Sequence, residues 1–119
     1  MASDLVDDAE WQKMLAEFNQ HFWLKRAPAF IKAWAECQSL EPERWVAELK
    51  ISIHGLAGVA ALVDQESIGD MAREIERQWD NDGPSSTLIP FIQELSDALM
   101  VSQQIHDSAV VTTSPINPR

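Results

Sequence analysis

The apolar residues of this chain recur every three or four positions, and the spacing is clearest between positions 49 and 63. The stripe there consists of Leu49, Ile53, Leu56, Ala60 and Val63. Spacings of three and four place side chains on one face of an α-helix, whereas a half-buried strand needs alternation at every second position. No stretch of the chain alternates over a useful length. The periodicity therefore predicts an all-α fold.

The same spacing predicts helices over 7–21, 28–38, 42–63, 66–80 and 87–105. Pro28 predicts a break or kink near 26–28, because proline lacks an amide donor and disfavours helix at the preceding residue. Pro42 fits the first turn of a helix, so the third helix is predicted to begin there. Tryptophans lie on or beside the apolar stripes, and we expect Trp11 to pack in the core.

Short loops between amphipathic helices are typical of an antiparallel bundle. We therefore expect one domain over residues 1–106, an antiparallel four-helix bundle with an additional N-terminal helix that packs across one end. Residues 107–119 contain two prolines and a polar run, and this composition predicts a flexible C-terminal tail.

The net charge and the cysteine content indicate which partners and which cellular compartment the chain suits. The formal net charge is -10, which argues against nucleic-acid phosphates or anionic membranes as partners, since both select basic patches. Cys37 is the only cysteine, so no intrachain disulfide is possible, as expected in a reducing compartment. The acidic start of the chain does not look like a signal peptide, and no apolar run approaches the roughly 18 residues of a membrane span. We expect a cytoplasmic monomer.

His54 is the side chain with the clearest chemical potential. It lies on the face next to the apolar stripe, and small residues surround it: Gly55, Ala57, Gly58 and Ala61. An imidazole with a pKa of roughly 6.5 is partly uncharged near neutral pH and can attack a phosphoryl group. Small neighbours would admit a bulky donor, and Lys50, one turn back, can place positive charge nearby. The spacing alone also fits a solvated histidine whose small neighbours serve helix packing.

The other reactive side chains form no recognised constellation. His21 and His106 are predicted to be solvated surface groups, and Glu76 is predicted to lie on the solvent-facing side of the fourth helix. None of the three histidines has a partner at metal-ligand spacing, and no nucleophile motif or phosphate loop is present. We expect no metal site, no cofactor of the protein's own and no enzyme active site.

Two motifs resemble a known family. The segment His54-Gly55-Leu56-Ala57-Gly58-Val59-Ala60 is similar to the H-x-L-K-G-x-A/S signature of histidine phosphotransfer (HPt) domains. Upstream, Trp23-Leu24-Lys25-Arg26-Ala27-Pro28-Ala29-Phe30-Ile31 resembles the family's F-L-x-x-x-P-x-x-L segment. The similarity covers roughly residues 8–105. Members of this family are four-helix bundles that carry phosphoryl groups in multistep two-component signalling.

The resemblance implies that His54 is phosphorylated and that Gly58 gives a receiver domain close access. Lys50, Ala57, Gly58 and Ala61 would then form the docking face and the phosphoryl environment. The implied partners are a response-regulator receiver domain, which would bring Mg²⁺, and a hybrid histidine kinase. Ala57 stands where the family has lysine, so Lys50 is the substitute cation that we expect.

Two other functions also fit the sequence. The missing lysine would also suit a degenerate adaptor that binds a receiver or kinase without being phosphorylated. The five tryptophans would suit a structural helical module that uses them at a subunit interface.

Overall fold

Every regular element that the structure describes is helical. The computed structural model describes the backbone of residues 2–112 and the side chains of residues 8–108. The α-helices are α1 (Ala2–His21), α2 (Ala27–Cys37), α3 (Ala47–Val59), α4 (Glu66–Asp82) and α5 (Ile89–Thr112). A π-helical turn (Phe22–Arg26) joins α1 to α2, and 3₁₀ turns lie at Pro42–Arg44, Ala60–Val63 and Ser86–Leu88. The prediction of an all-α protein is confirmed for these residues.

Four of the helices pack side by side in a closed cycle. α2 contacts α3 and α5, and α4 also contacts α3 and α5. The apolar stripe predicted over 49–63 faces the centre of this cycle. Leu49, Ile53 and Leu56 of α3 are fully buried, as is Ala60 of the 3₁₀ turn that follows, and Val63 in that turn is 7% exposed. The stripe predicted from the sequence is therefore the core face of α3.

α3 and α4 run antiparallel, and their polar contacts show the register. Lys50 pairs with Asp80, and His54 pairs with Glu76. One residue number rises by a helical turn as the other falls by a turn, as it must between antiparallel helices. The register places the middle of α3 opposite the C-terminal half of α4.

α1 lies outside this cycle. It packs against the π-helical turn that follows it and against the 3₁₀ turn Ala60–Val63 at the end of α3. Its apolar stripe stays largely in solvent, since Trp11 is 47% exposed, Met14 is 42% exposed and Phe18 is 36% exposed. The prediction that Trp11 packs in the core is wrong, because α1 meets its neighbours near its C-terminal end.

The break predicted near Pro28 is a π-helical turn. The amide of Ala27 donates to the carbonyl of Phe22, five residues back. Pro28 has no amide for the carbonyl four residues before it, and its ring crowds that carbonyl, so the preceding turn widens. The chain passes from α1 to α2 without leaving helical geometry.

The third helix begins later than predicted. Pro42–Arg44 forms a separate 3₁₀ turn, and Trp45 and Val46 then adopt extended backbone conformations before α3 starts at Ala47. Trp45 and Val46 are half-buried and pack against the core. Their packing outweighs the local helix signal of Pro42, which explains the difference.

The fifth helix continues to Thr112, beyond its predicted end at 105, and so includes residues 107–112 of the predicted tail. Near this end the ring of His106 stacks on Trp23 with a centroid distance of 5.1 Å. His106 is therefore half-buried rather than solvated. The remainder of the predicted tail, 113–119, lies outside the described residues.

No helix in the described part of the chain is long and apolar enough to cross a membrane.

Cys37 is fully buried, and this burial raises the pKa of its thiol. The thiol therefore behaves as a small apolar side chain at neutral pH.

Burial along α3 predicts which of its residues stabilise the protein. Leu56→Ala should lower the free energy of unfolding by about 2–5 kcal/mol, because it opens a cavity in the core. Ile51→Ala is the matched control on the same helix, since Ile51 is 66% exposed, and should cost no more than about 0.5 kcal/mol. Urea titrations followed by tryptophan fluorescence measure both changes. Equal losses in the two variants would contradict the placement of the stripe.

Candidate functional site

His54 projects from the middle of α3 into solvent. Its side chain is 77% exposed, and its Nδ1 atom contacts Oε2 of Glu76. A carboxylate only accepts hydrogen bonds, so the Nδ1–H of His54 donates to it. In the neutral ring this leaves the proton on Nδ1 and a lone pair on Nε2. Nε2 has no hydrogen-bond partner among the described residues, and it is the atom open to an incoming group.

Glu76 is a site residue that sequence reasoning placed wrongly. It was predicted to face solvent, but its side chain is only 21% exposed and points to α3. The signal that could have found it is its position beside the buried stripe of α4. It follows buried Ile75 directly and lies one turn after buried Ala72, so it sits at the border of the α3–α4 contact.

Lys50 lies one turn before His54, and its charge is already paired. Its Nζ atom is 2.8 Å from Oδ1 of Asp80 and 5.9 Å from the centre of the Trp79 ring. Both contacts hold the ammonium group toward α4. The expectation that Lys50 supplies a spare cation beside His54 therefore conflicts with its ion pair.

An aromatic groove of about 520 Å³ runs beside His54, between the start of α3 and the end of α4. Trp45 and Trp79 contribute indole rings to it, with a centroid distance of 5.5 Å. Behind them, Trp34 packs edge-on against Trp45 at 5.9 Å. The other residues that line the groove are Val46, Ala47, Lys50, Ile51, His54, Glu76 and Asp80.

The predicted docking residues separate into two groups. Gly58 and Ala61 are exposed with His54, and we call this surface of His54, Gly58 and Ala61 the His54 face. Ala57 is only 8% exposed, so the prediction that it lines this surface is wrong. Ala57 lies on the side of α3 that meets α4, where its carbonyl accepts a hydrogen bond of 3.1 Å from Nη1 of Arg73.

The two glycines next to His54 have different surroundings. A Cβ atom on Gly55 would overlap Nη1 of Arg26 and lie 3.5 Å from its Cζ. A Cβ atom on Gly58 would meet nothing within 4 Å. Gly55 thus lets an arginine side chain lie directly against α3, and Gly58 leaves the surface beside His54 bare. Sequence reasoning did not single out Arg26.

The described side chains, residues 8–108, contain no group of three or more His, Cys, Asp or Glu that could hold a metal ion. The geometry around His54 meets the requirements of a nucleophile: an exposed ring nitrogen, a carboxylate on the opposite nitrogen, and bare backbone at Gly58. The carboxylate also stabilises positive charge on the ring when Nε2 forms a bond. The site can therefore accept an electrophilic group at Nε2.

Comparisons of this chain with protein-family models, with characterised proteins and with solved structures found no match.

The bare surface at Gly58 predicts a gain in stability on substitution. Gly58→Ala should raise the free energy of unfolding by about 0.5–1 kcal/mol, because alanine is the better helix former and its methyl group has room. Gly69→Ala is the matched control in α4, since its Cβ would lie 3.2 Å from Cβ of Ala60. Its gain should be smaller or reversed in urea unfolding. A loss of stability in Gly58→Ala would contradict the open surface.

Proposed function

We propose that this chain is a histidine phosphotransfer protein that relays a phosphoryl group between receiver-domain aspartates through His54. Its architecture would be the antiparallel four-helix bundle with an additional N-terminal helix that such proteins have. The observation that carries the proposal is the exposed imidazole whose Nδ1 is held by Glu76 while Nε2 stays open beside Gly58. The implied partners are a receiver domain and a hybrid histidine kinase in the cytoplasm.

The tautomer of His54 determines where the proton and the charge lie in the transfer step. The lone pair of Nε2 attacks the phosphorus of a receiver's aspartyl phosphate, so that the N–P bond forms as the P–O bond to aspartate breaks. The aspartate leaves as a carboxylate, and Nδ1 keeps its proton throughout. The phosphorylated ring then carries a positive charge, which the carboxylate of Glu76 offsets. Attack on phosphorus by the aspartate of a second receiver reverses the step.

The surface of α3 favours the close approach that this step needs. Phosphoryl transfer requires donor and acceptor in line, with the reacting atoms about 3–3.5 Å apart. A receiver must therefore bring its recessed aspartate against α3, and the bare backbone at Gly58 leaves room for it. Mg²⁺ is expected from the receiver, where it neutralises phosphoryl oxygens. The chain would act as a phosphoryl carrier rather than as an enzyme.

A second candidate is an adaptor that binds a receiver or kinase without being phosphorylated. The observation that favours it is Ala57, which occupies the position of the family's lysine and is buried against α4. In this candidate the His54 face would dock the receiver, and His54 itself would be dispensable for binding.

Radiolabel transfer tests the relay directly. A panel of receiver domains, each charged with radiolabelled acetyl phosphate, is mixed with the wild-type chain, with His54→Gln and with His21→Gln. We expect acid-labile label on the wild type and on His21→Gln, and none on His54→Gln. Label that reaches His54→Gln as fast as the wild type would overturn the assignment. Receivers that bind the wild type and His54→Gln equally, with no label on either, would establish the adaptor.

Glu76 provides a second prediction. Glu76→Gln keeps an acceptor for Nδ1–H but removes the negative charge that offsets the phosphorylated ring. Hydrogen bonds to charged groups contribute about 1.5–3 kcal/mol, so the initial rate of label transfer should fall about 10- to 100-fold.

Glu74→Gln is the matched control for Glu76→Gln, because Glu74 lies on the same helix and pairs with Arg77 instead of His54. It should transfer label at the wild-type rate. Equal rates in Glu76→Gln and Glu74→Gln would show that the carboxylate of Glu76 has no part in the reaction.

A further inference from the structure

Carboxylates pair with half of the lysine and arginine side chains among residues 8–108. Four cations are in ion pairs: Lys32, Lys50, Arg73 and Arg77. Among residues 8–108, the cations without an ion-pair partner are Lys13, Lys25, Arg26 and Arg44. Three of these are exposed, whereas Arg26 is half-buried. A half-buried guanidinium without a carboxylate is unusual in a chain with a net charge of -10.

Arg26 is the last residue of the π-helical turn, and this turn contacts α3. Its guanidinium lies at the surface of Gly55, the residue after His54. It also lines two grooves, of about 350 Å³ and about 240 Å³, that share His21 and Arg26. One of these grooves includes Val59 and the other includes Ile51 and Ser52. The guanidinium therefore lies between α1 and α3, on the side of His54 away from α4.

Gly58 lies between Arg26 and His54 on the surface of α3. At 100° per residue, Gly58 is about 40° around the helix from His54, and Gly55 is about 100° around in the same direction. A Cβ on Gly58 would meet nothing within 4 Å. Ile51, about 60° around in that direction, lies one turn toward the N-terminus of α3. On the C-terminal side, the path from the guanidinium to a group carried on Nε2 crosses the bare backbone at Gly58.

We propose that Arg26 is the cation that binds the phosphoryl group on His54. The sequence had suggested Lys50 for this role. This inference rests on the proposed function. The guanidinium would donate two N–H groups to two phosphoryl oxygens, the planar geometry in which arginine binds phosphate. Arg26 would touch the phosphoryl group itself, while Glu76 acts on the opposite ring nitrogen.

The contacts of Lys50 argue against it as the phosphate ligand. Its ammonium would have to leave Asp80 at 2.8 Å and the ring of Trp79 to reach the phosphoryl group. Arg26 breaks no ion pair when it swings across Gly58. Together the two glycines suit this motion, because Gly55 lets the guanidinium lie against the helix and Gly58 leaves its path open.

Chemical phosphorylation tests the contact without any partner. Potassium phosphoramidate transfers its phosphoryl group to histidine with release of ammonia, and NMR then follows the Nε–H signals of the arginines. We expect the Arg26 signal to move on phosphorylation of the wild type, while Arg44 stays in place and His54→Gln shows no change at Arg26. An Arg26 signal that stays in place on phosphorylated His54 would overturn the inference, even if receivers label the wild type.

Transfer rates from a charged receiver provide the second test. Arg26→Gln should lower the rate about 10- to 100-fold, and Arg26→Lys should fall between it and the wild type. Lys25→Gln is the matched control, since it removes an adjacent unpaired charge and should stay within about twofold. Gly55→Ala keeps every charge but displaces the guanidinium, and it should lower the rate in the same direction as Arg26→Gln.

The outcomes separate this inference from the relay itself. Equal losses in Arg26→Gln and Lys25→Gln would reduce the effect to net charge and overturn the role of Arg26. A loss in Lys50→Gln with none in Arg26→Gln would assign the phosphate to Lys50. Receivers that never label the wild type would reject the proposed function, and the NMR experiment would still decide whether Arg26 contacts phosphorylated His54.

Discussion

Burial of one stripe of α3 sets the direction of every other side chain on that helix. Leu49, Ile53, Leu56 and Ala60 have no exposed surface, and turning α3 would bring them into water at roughly 1.5–3 kcal/mol for each large side chain. The rotation that buries them turns His54 outward. The antiparallel register with α4 then places a carboxylate opposite its ring. The reactive geometry is therefore a consequence of core packing, with no strained element needed to produce it.

Local patterns predicted much of this structure. Apolar spacing predicts the helical class, the core stripe of α3 and the exposure of His54, because the buried face of an amphipathic helix can be identified from the sequence of that helix alone. Helix ends were less predictable where distant contacts compete with local signals. Trp45 and Val46 pack on the core in extended conformations, so α3 starts after them, although Pro42 is a good first-turn residue.

The partners of His54 could not be predicted in the same way. Glu76 is distant in sequence, and its role depends on the α3–α4 register, which periodicity alone does not determine. Ala57 was placed on the exposed surface, but the width of the contact with α4 buries it. Arg26 reaches Gly55 through a widened turn before Pro28. Each of these depends on how two elements meet, and apolar spacing describes each element separately.

The two glycines beside His54 leave its Nε2 atom open to a phosphoryl donor. The central claim is therefore tested by which ring nitrogen takes the phosphoryl group. Heteronuclear NMR of the phosphorylated, ¹⁵N-labelled protein measures the coupling between phosphorus and ring nitrogen. We expect ³¹P to couple to Nε2 of His54 while Nδ1 keeps its proton. Coupling to Nδ1 of His54, or to a ring nitrogen of His21 or His106, would contradict it.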